Sequence, residues 1–379
     1  MKKKKICIIA AAPSGIINFH KTNIQELANS FDVYIIANFE DKTMFSSLDI
    51  VDAFPVRIER RPSIKDDLRA LKELYKVFKR ERFDAFLSMS ANASLLSAIA
   101  GRMAKIPIRI RIFTGQIWVY MTGMKRKFFR VVDKITVALN THLLTDGKPQ
   151  REFLEEQGIL KKGQAEVLAN GSICGVDTEL FKPNKSARAS ERAKLGLKED
   201  DVAFTFMGRV NRDKGTFEML AATNELAKTY NNLKLVLIGN MEGLTEDVIK
   251  QYPNLVIGKN VLLYGYTSKP YETLSLADVF LLPSYREGFG MSAIEAASIG
   301  LPVICSDAYG LRDSYVDGVT GLTCKVKDVP TLVDAMKKMH NDKQMREQMG
   351  KAGRERIVEK FDKSLVSQAW HEYFKKILS

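Results

Sequence analysis

Residues 279–300 read VFLLPSYREGFGMSAIEAASIG, and this stretch decides the fold. Four apolar residues without polar alternation open it, as in a strand that is buried on both faces. A loop rich in glycine and charge follows, and the rest predicts a short helix that ends near Gly300-Leu301-Pro302. The stretch is therefore one strand–loop–helix step of a parallel sheet.

The same step recurs along the chain. Strands are predicted at residues 5–10, 33–37, 85–88, 108–112, 143–145, 166–168, 202–207, 234–238, 261–264, 279–282 and 303–306. Helices are predicted at 21–30, 64–81, 94–104, 147–157, 216–230, 271–277, 291–299 and 330–341, and again from 361 onward. The series is interrupted once, between 171 and 202. We therefore expect an α/β protein of two Rossmann-like, doubly wound parallel-sheet lobes.

Length and composition fit two globular lobes. The chain has 379 residues, of which 45% are hydrophobic and 27% charged. Its four cysteines lack paired or metal-like spacing, which favours reduced thiols in a cytoplasmic protein. The apolar run after Lys5 is too short for a signal peptide, and no apolar stretch approaches the roughly 20 residues of a membrane span.

Basic residues are unevenly distributed. The formal net charge is +13, and +11 of it lies in residues 1–172. Residues 125–130, KRKFFR, interleave cations with aromatic rings. This pattern suits an anionic membrane surface or a phosphate-bearing acceptor, and a solvated basic face explains it equally well.

Three loops follow strands at the edge where open α/β sheets bind ligands. The first is Ala12-Pro13-Ser14-Gly15, in which Gly15 would let a ligand approach the backbone. The loop lacks the glycine spacing of a dinucleotide fingerprint, and a plain turn explains it equally well.

The second loop, residues 208–215, reads GRVNRDKG and opens a helix. Arg209 and Lys214 place a guanidinium and an ammonium on one short loop, where both can bind a diphosphate. A nucleoside diphosphate is the leaving group of sugar transfer from a nucleotide sugar, and fixed cations stabilise its growing charge. Exposed loop charges are the alternative interpretation.

The third loop, residues 283–290, reads PSYREGFG. Its Glu287 is followed by Gly288 and Gly290, which permit tight turns near a ligand. The amides at the start of the next helix would point at sugar or phosphate. Glu295 lies about one turn inside that helix, where a carboxylate can accept hydrogen bonds from paired hydroxyls such as those of a ribose.

Together these motifs resemble the donor site of retaining glycosyltransferases of family 4. The matching strings are PSxxEGFG at 283–290 with a second glutamate eight residues after the first, GRxxxxKG at 208–215, and NGSxxGVD at 170–177. The resemblance implies a GT-B architecture, in which two lobes face a cleft. Residues 1–172 would form the acceptor-side lobe, completed by a C-terminal helix at 357–379, and residues 173–356 the donor-side lobe.

The resemblance also assigns residues to roles. Arg209 and Lys214 would hold the diphosphate, Glu287 would contact the donor sugar, and these three form the expected catalytic set. Glu295 would hold the ribose, and Tyr266 would lie near the base. The expected donor-binding residues are Gly15, Gly208, Tyr266, Gly288, Phe289, Gly290, Met291, Ser292 and Glu295. No cofactor and no metal are expected, and the sequence contains no Asp-x-Asp. Retention without a placed nucleophile implies front-face attack.

The first lobe departs from the family. Many members carry a histidine near the reacting carbon, whereas the comparable residues 109–118, RIRIFTGQIW, contain none. The expected acceptor contacts are His20, Arg111, Thr114, Gln116 and Trp118. Packing in the core is the alternative for His20 and for Trp118.

The sequence of residues 171–177 and the basic first lobe resemble those of bacterial enzymes that build capsule, O-antigen and related surface polysaccharides. The implied partners are a nucleotide-sugar donor, with uracil favoured as the base, and a saccharide or polyprenyl-diphosphate-linked acceptor. The implied location is the cytoplasm, peripherally at the inner face of the plasma membrane. The alternatives are an epimerase or phosphorylase of the same fold, a non-catalytic scaffold, and a basic nucleic-acid-binding protein. No nucleic-acid partner is expected, because no recognised binding motif is present.

Overall fold

The computed structural model describes residues 2–59 and 63–379. It divides into two compact units, Met1–Gly175 with Lys363–Ser379, and Val176–Asp362, here called unit 1 and unit 2. The predicted limits were 1–172, 173–356 and 357–379. Unit 1 is interrupted after Gly175, three residues beyond the predicted limit of 172. The chain returns to it at Lys363, six residues beyond the predicted start at 357.

A six-stranded parallel sheet forms the centre of unit 1. Its strands are β1 (Lys4–Ile9), β2 (Phe31–Ala37), β3 (Asp52–Pro55), β4 (Ala85–Ser88), β5 (Ile108–Phe113) and β6 (His142–Thr145). They lie in the order β3-β2-β1-β4-β5-β6. The central strands β1 and β4 are buried on both faces, which explains their continuous apolar sequence.

Unit 2 repeats this arrangement. Its strands are β7 (Val202–Met207), β8 (Leu233–Ile238), β9 (Val261–Gly265), β10 (Val279–Leu282), β11 (Val303–Ser306) and β12 (Gly321–Cys324). They pair in parallel in the order β12-β11-β10-β7-β8-β9. Each unit is therefore a doubly wound α/β sheet, as the sequence predicted.

Helices connect the strands. In unit 1 they are α1 (Pro13–Ala28), α2 (Ile64–Glu81), α3 (Ala91–Met103), α4 (Gly123–Leu139) and α5 (Lys148–Glu156). In unit 2 they are α6 (Lys185–Lys194), α7 (Thr216–Leu226), α8 (Glu246–Ile249), α9 (Pro270–Thr273), α10 (Met291–Ser298), α11 (Val329–Asn341) and α12 (Lys343–Phe361). Within the described part of the chain, none is both long and apolar enough to cross a membrane.

The chain returns to unit 1 as α13 (Lys363–Leu378), which packs against α1. Trp370 is buried in this contact, and its indole Nε1 donates to the carbonyl of Ile173 at 3.0 Å. The expected C-terminal helix at 357–379 is therefore two helices, because α12 ends at Phe361 and Asp362 leaves helical geometry.

The strands differ from the prediction in three places. Residues 166–168 form no strand, since only Glu166 makes an isolated bridge, to Leu144. The sequence analysis missed β3 and β12, and both lie at sheet edges. An edge strand has one neighbour, so it is short and lacks the long apolar run of a central strand.

The first predicted loop is also corrected. Ala12-Pro13-Ser14-Gly15 is not a free loop, because Pro13 begins α1 directly after β1. Proline suits the first helical position, where its missing N–H costs nothing. The helices α4, α6, α8 and α12 were not predicted, although α4 contains the basic and aromatic residues 125–130.

The strand orders locate one switch point in each unit. In unit 1 the sheet grows outward in opposite directions from β1 and β4, and in unit 2 from β7 and β10. Loops leave two such strands toward opposite faces of the sheet, which opens a crevice at their carboxyl ends. The predicted donor loops follow β7 and β10, so both lie at the switch point of unit 2.

Candidate active site

Two loops converge at the switch point of unit 2. Residues 208–215 connect β7 to α7, and residues 283–290 connect β10 to α10. Because β7 and β10 are neighbours in the sheet, their loops lie side by side. The amide of Tyr285 donates to the carbonyl of Asp213 at 2.8 Å, which joins the two backbones.

An ion pair links the two loops. The Nζ of Lys214 lies 2.5 Å from the Oε1 of Glu287. Both side chains are largely buried, with exposed fractions of 21% and 14%. A charge in such a setting requires a partner, since burying it alone is costly. The pairing fixes an ammonium and a carboxylate at one point of the crevice.

Two glycines allow the loops to come this close. Gly215 has φ of +74°, and a Cβ there would lie 2.3 Å from the carbonyl oxygen of Pro283. A Cβ on Gly310 would lie 2.0 Å from the carbonyl oxygen of Glu287. A side chain at either position would push the Glu287 loop away from Lys214.

Arg209 has a different environment. Its side chain is mostly exposed, and Nη1 lies 3.3 Å from the Oε2 of Glu242. The same oxygen accepts from Asn211 at 3.3 Å. Glu242 follows β8, so a third loop borders the site, and sequence reasoning missed this residue. An exposed pair of this kind is weak and leaves Arg209 able to exchange partners.

The start of α10 faces the same crevice. Gly290 is the N-cap, with φ of +85°, and Met291 and Ser292 begin the helix half-buried. The first amides of a helix have no partner within it, so they favour an anion or a hydroxyl oxygen. The side chain of Phe289 is buried and contacts Phe361, with ring centroids 5.3 Å apart. Only its backbone is therefore available to a donor.

Glu295 lies one turn inside α10. Burial raises the pKa of its carboxyl to about 7. The charged form is disfavoured there because protein surrounds the carboxyl, and no cation among the described residues compensates. A ligand that donates hydrogen bonds to this carboxyl would stabilise the charged form and lower the pKa again.

Tyr266 follows β9, and 74% of its side chain is exposed. Neighbouring Tyr264 is fixed, since its hydroxyl donates to Glu191 at 2.6 Å. Gly208, at the end of β7, lies against Gly239 of the adjacent loop. The structure thus gathers Arg209, Lys214 and Glu287 with the α10 start in unit 2, and leaves Tyr266 at the surface.

The expected acceptor residues are mostly buried in unit 1. Asp133 of α4 accepts from Arg111 Nη2 at 2.5 Å and from Trp118 Nε1 at 2.6 Å. All three side chains are buried, and Gln116 is buried as well. Arg111 and Trp118 are therefore structural groups that satisfy one buried carboxylate, and the acceptor prediction for them is corrected. Thr114 alone of the five keeps partial exposure.

His20 is also a core residue. It is fully buried, its ring lies edge-on to Trp370, and Asn23 lies 3.3 Å from its Nδ1. Burial lowers the pKa of the imidazole to about 3, so it is neutral at physiological pH. This placement corrects its expected role as an acceptor contact. Gly15 lies in the first turn of α1, next to Met89.

A buried carboxyl in unit 1 was not predicted. Asp146 follows β6, and burial raises its pKa to about 8. Its backbone N–H donates to Gln150 Oε1 at 2.8 Å, and its Oδ1 has no partner among the described residues. An acidic residue directly after a strand was the available signal. The described residues contain no cluster of His, Cys, Asp and Glu suited to a metal ion.

Comparison with known families identifies the region that holds this site. Residues 187–356 match the family described as Glycosyl transferases group 1. The match covers less than half of the chain, and the matched region is here called the group 1 domain. The match includes the loops after β7 and β10 and all of α10, so the Lys214–Glu287 pair lies inside the group 1 domain.

Two curated relatives extend the similarity beyond the group 1 domain. The chain is 27% identical over 345 residues to the capsular polysaccharide biosynthesis glycosyltransferase CapM of Staphylococcus aureus, covering 90% of this chain and 88% of CapM. It is 27% identical over 372 residues to the UDP-Gal:alpha-D-GlcNAc-diphosphoundecaprenol alpha-1,3-galactosyltransferase of Escherichia coli, covering 95% and 94%. The chain is thus similar to glycosyltransferases along nearly its whole length.

The fold is shared with a solved structure. Anabaena Alr3699/HepE in complex with UDP and glucose superposes with a TM-score of 0.79 at 16% identity, covering 98% of this chain and 99% of HepE. The expected GT-B architecture of two Rossmann-like lobes is therefore confirmed. The group 1 domain and these similarities support a glycosyltransferase enzyme.

Proposed function

We propose that this protein is a retaining, metal-independent glycosyltransferase of surface polysaccharide synthesis. It moves a hexose or N-acetylhexosamine from a UDP-linked donor to a polyprenyl-diphosphate-linked saccharide. Unit 2 binds the donor and unit 1 binds the acceptor. Transfer takes place at the cytoplasmic face of the membrane.

The observation that carries this proposal is the Lys214–Glu287 pair at the switch point of unit 2. Sugar transfer needs a cation for the leaving diphosphate and a hydrogen-bond acceptor for sugar hydroxyls. The pair supplies both groups from two loops fixed by close backbone packing. Its position at the carboxyl ends of β7 and β10 is where such sheets bind nucleotides.

The rest of the donor is assigned to neighbouring groups. Arg209 leaves Glu242 and binds the diphosphate together with Lys214, since a guanidinium matches phosphate oxygens in a bidentate manner. The amides at the start of α10 add positive potential. Glu295 accepts hydrogen bonds from the ribose hydroxyls, and exposed Tyr266 covers the uracil.

The transfer balances without a metal or a cofactor. The bond between the anomeric carbon and the diphosphate oxygen breaks, and its electron pair stays on the diphosphate. The acceptor oxygen attacks the same face of the sugar, and its proton passes to a leaving phosphate oxygen. Arg209 and Lys214 stabilise the charge that develops on that phosphate, which is the term that usually dominates such catalysis.

The relatives support the donor and acceptor classes. The Escherichia coli relative is named for transfer from UDP-Gal to a GlcNAc-diphosphoundecaprenol acceptor. CapM is named for capsular polysaccharide biosynthesis. Similarity over at least nine-tenths of this chain includes unit 1, to which we assign the acceptor.

The test is a transfer assay with purified protein. UDP-glucose, UDP-galactose and their N-acetylhexosamine counterparts are each incubated with a short-chain polyprenyl-diphosphate-linked GlcNAc. We expect one donor to give UDP and a lipid-linked disaccharide whose new anomeric centre keeps the configuration of the donor. Mass spectrometry identifies the product and the NMR coupling of the anomeric proton gives the configuration.

Matched variants locate the chemistry. Lys214→Ala should lower the rate of product formation by about 100-fold or more, whereas Lys228→Ala, a change at an exposed lysine of unit 2 that pairs with Glu225, should not. Inversion at the new centre would refute the retaining mechanism. Release of UDP or an epimerised donor without any lipid-linked product would favour the epimerase alternative. If the protein bound none of the UDP-sugars, the donor assignment would be refuted.

A further inference from the structure

An apolar stripe lies on the outward face of α4. Met124, Phe128, Val131 and Ile135 are exposed to between 46% and 78%. Their spacing of four, three and four residues places them within an arc of about 60° on a helix of 3.6 residues per turn. Four large apolar side chains in a row on a surface indicate a partner that covers them.

The stripe is not the face that holds α4 to unit 1. Asp133, Thr136 and Val137 are the buried residues of this helix. Asp133 lies on the side of the helix opposite the stripe and accepts the hydrogen bonds of Arg111 and Trp118. The helix is thus fixed by one face, and its second apolar face points away from the unit.

The cations of α4 divide in the same way. Arg126 and Arg130 turn inward, where both lie over the ring of Trp118 and donate to Gln157. Lys125, Lys127 and Lys134 are exposed, and none forms an ion pair with a carboxylate of the described residues. Since Asp133 is the helix's single acidic residue and is buried, the outward face carries only positive charge.

We propose that the outward face of α4 docks the protein on an anionic lipid bilayer. The stripe would enter the boundary between headgroups and acyl chains, parallel to the membrane plane, and the three lysines would pair with lipid phosphates. The positive charge of this face favours an anionic lipid surface over a second copy of the chain. Two copies would bring six unpaired ammonium groups together, and these would repel one another. The surface would hold the protein at the membrane where we propose that transfer takes place, but lipid binding itself requires no donor.

The test is flotation of the full-length protein with vesicles, without any sugar substrate. Vesicles contain phosphatidylcholine alone or phosphatidylcholine with phosphatidylglycerol. We expect the protein to float with the anionic vesicles, and high salt should release part of it. Met124→Ser/Phe128→Ser and Lys127→Glu/Lys134→Glu should each lower the bound fraction at fixed lipid by about tenfold or more.

Helix α12 of unit 2 supplies matched controls. Val358→Ser removes an exposed apolar side chain, and Lys343→Glu/Lys351→Glu makes the same change of net charge as the α4 pair. Both should bind anionic vesicles like the unaltered protein, and UDP should raise the melting temperature of all variants equally if the donor site is intact.

Three outcomes would overturn the docking surface. The unaltered protein could remain unbound to anionic vesicles at low salt, or the Met124→Ser/Phe128→Ser variant could float normally. Sedimentation could instead show a dimer that this variant dissociates, without flotation, which would assign the stripe to self-association. None of these results bears on donor binding, so the two proposals fail separately.

Discussion

The switch points of the two units have the same topology, but their loops differ in charge. In unit 1 the chain beyond β1 and β4 reads AAAPSG at 10–15 and MS at 89–90, without one charged residue. In unit 2 the loops beyond β7 and β10 carry Arg209, Lys214 and Glu287. The doubly wound sheet provides the crevice in both cases, and the loop residues decide whether it can hold a charged ligand.

The comparison also separates two kinds of polar cluster. The Arg111–Asp133–Trp118 group of unit 1 is closed to solvent, because its members are buried and Asp133 accepts from both others, although Arg111 Nη1 has no hydrogen-bond partner among the described residues. The Lys214–Glu287 pair of unit 2 keeps partial exposure, and its neighbour Arg209 is open to solvent. Closed clusters specify packing, and open ones can exchange partners with a ligand.

The largest expected effect is on the closed cluster. Asp133→Ala leaves the Arg111 guanidinium buried without its carboxylate, which should lower the free energy of unfolding by about 3 to 5 kcal/mol. Denaturant unfolding measures this loss. The Kd for UDP, measured where the variant is still folded, should not change. A loss of UDP binding in the folded variant would contradict the conclusion that the unit 1 cluster serves packing alone.

The second effect is on the open pair. Lys214→Ala should lower kcat/KM by about 100-fold or more, the usual cost of removing one group that stabilises transition-state charge. Steady-state kinetics with the donor identified above measure it. Lys228→Ala is the matched control and should stay close to the unaltered enzyme. If kcat/KM fell to a similar extent in both variants, the Lys214–Glu287 pair would have no specific role in transfer.

A smaller effect concerns pH. Because burial raises the pKa of Glu295 to about 7, the carboxylate that we propose as acceptor of hydrogen bonds from the ribose hydroxyls is scarce below that pH and predominant above it. Affinity for UDP should therefore rise about tenfold from about pH 6 to about pH 8. Calorimetric titrations of the unaltered protein and of Glu295→Gln give the contribution of this group by difference. An identical pH profile in Glu295→Gln would contradict it.

The smallest effect belongs to the exposed cation. Glu242→Gln frees Arg209 from a weak pair and should tighten UDP binding by about two- to fivefold, since an exposed ion pair is worth at most about 1 kcal/mol. Titration of UDP measures the change. Weaker binding in Glu242→Gln would show that the carboxylate supports the donor site rather than competes for Arg209.

Much of the fold was predictable from the sequence, for a specific reason. Central strands buried on both faces are continuous apolar runs, and the sequence located them with small errors at their ends. The edge strands β3 and β12 were missed because DAFP and GLTC carry polar, proline or glycine residues that a one-neighbour strand tolerates.

The site was predictable in its members more than in its geometry. The motifs singled out Lys214 and Glu287, but these residues are 73 positions apart and meet only because β7 and β10 are neighbours. Three acceptor candidates, His20, Arg111 and Trp118, are buried in the core for the converse reason. A polar or aromatic residue looks available until its buried partner is known, and Asp133 lies 22 residues beyond Arg111.

The return of α13 to unit 1 governs how the protein is made. Residues 176–362 form unit 2 without interruption, so that unit can fold as it emerges from the ribosome. Unit 1 is begun first and finished last, because α1 lacks its packing partner until Trp370 has been synthesised. The nascent chain therefore carries an unfinished first unit through the whole translation of the second, and during that interval the face of α1 that α13 later covers stays exposed.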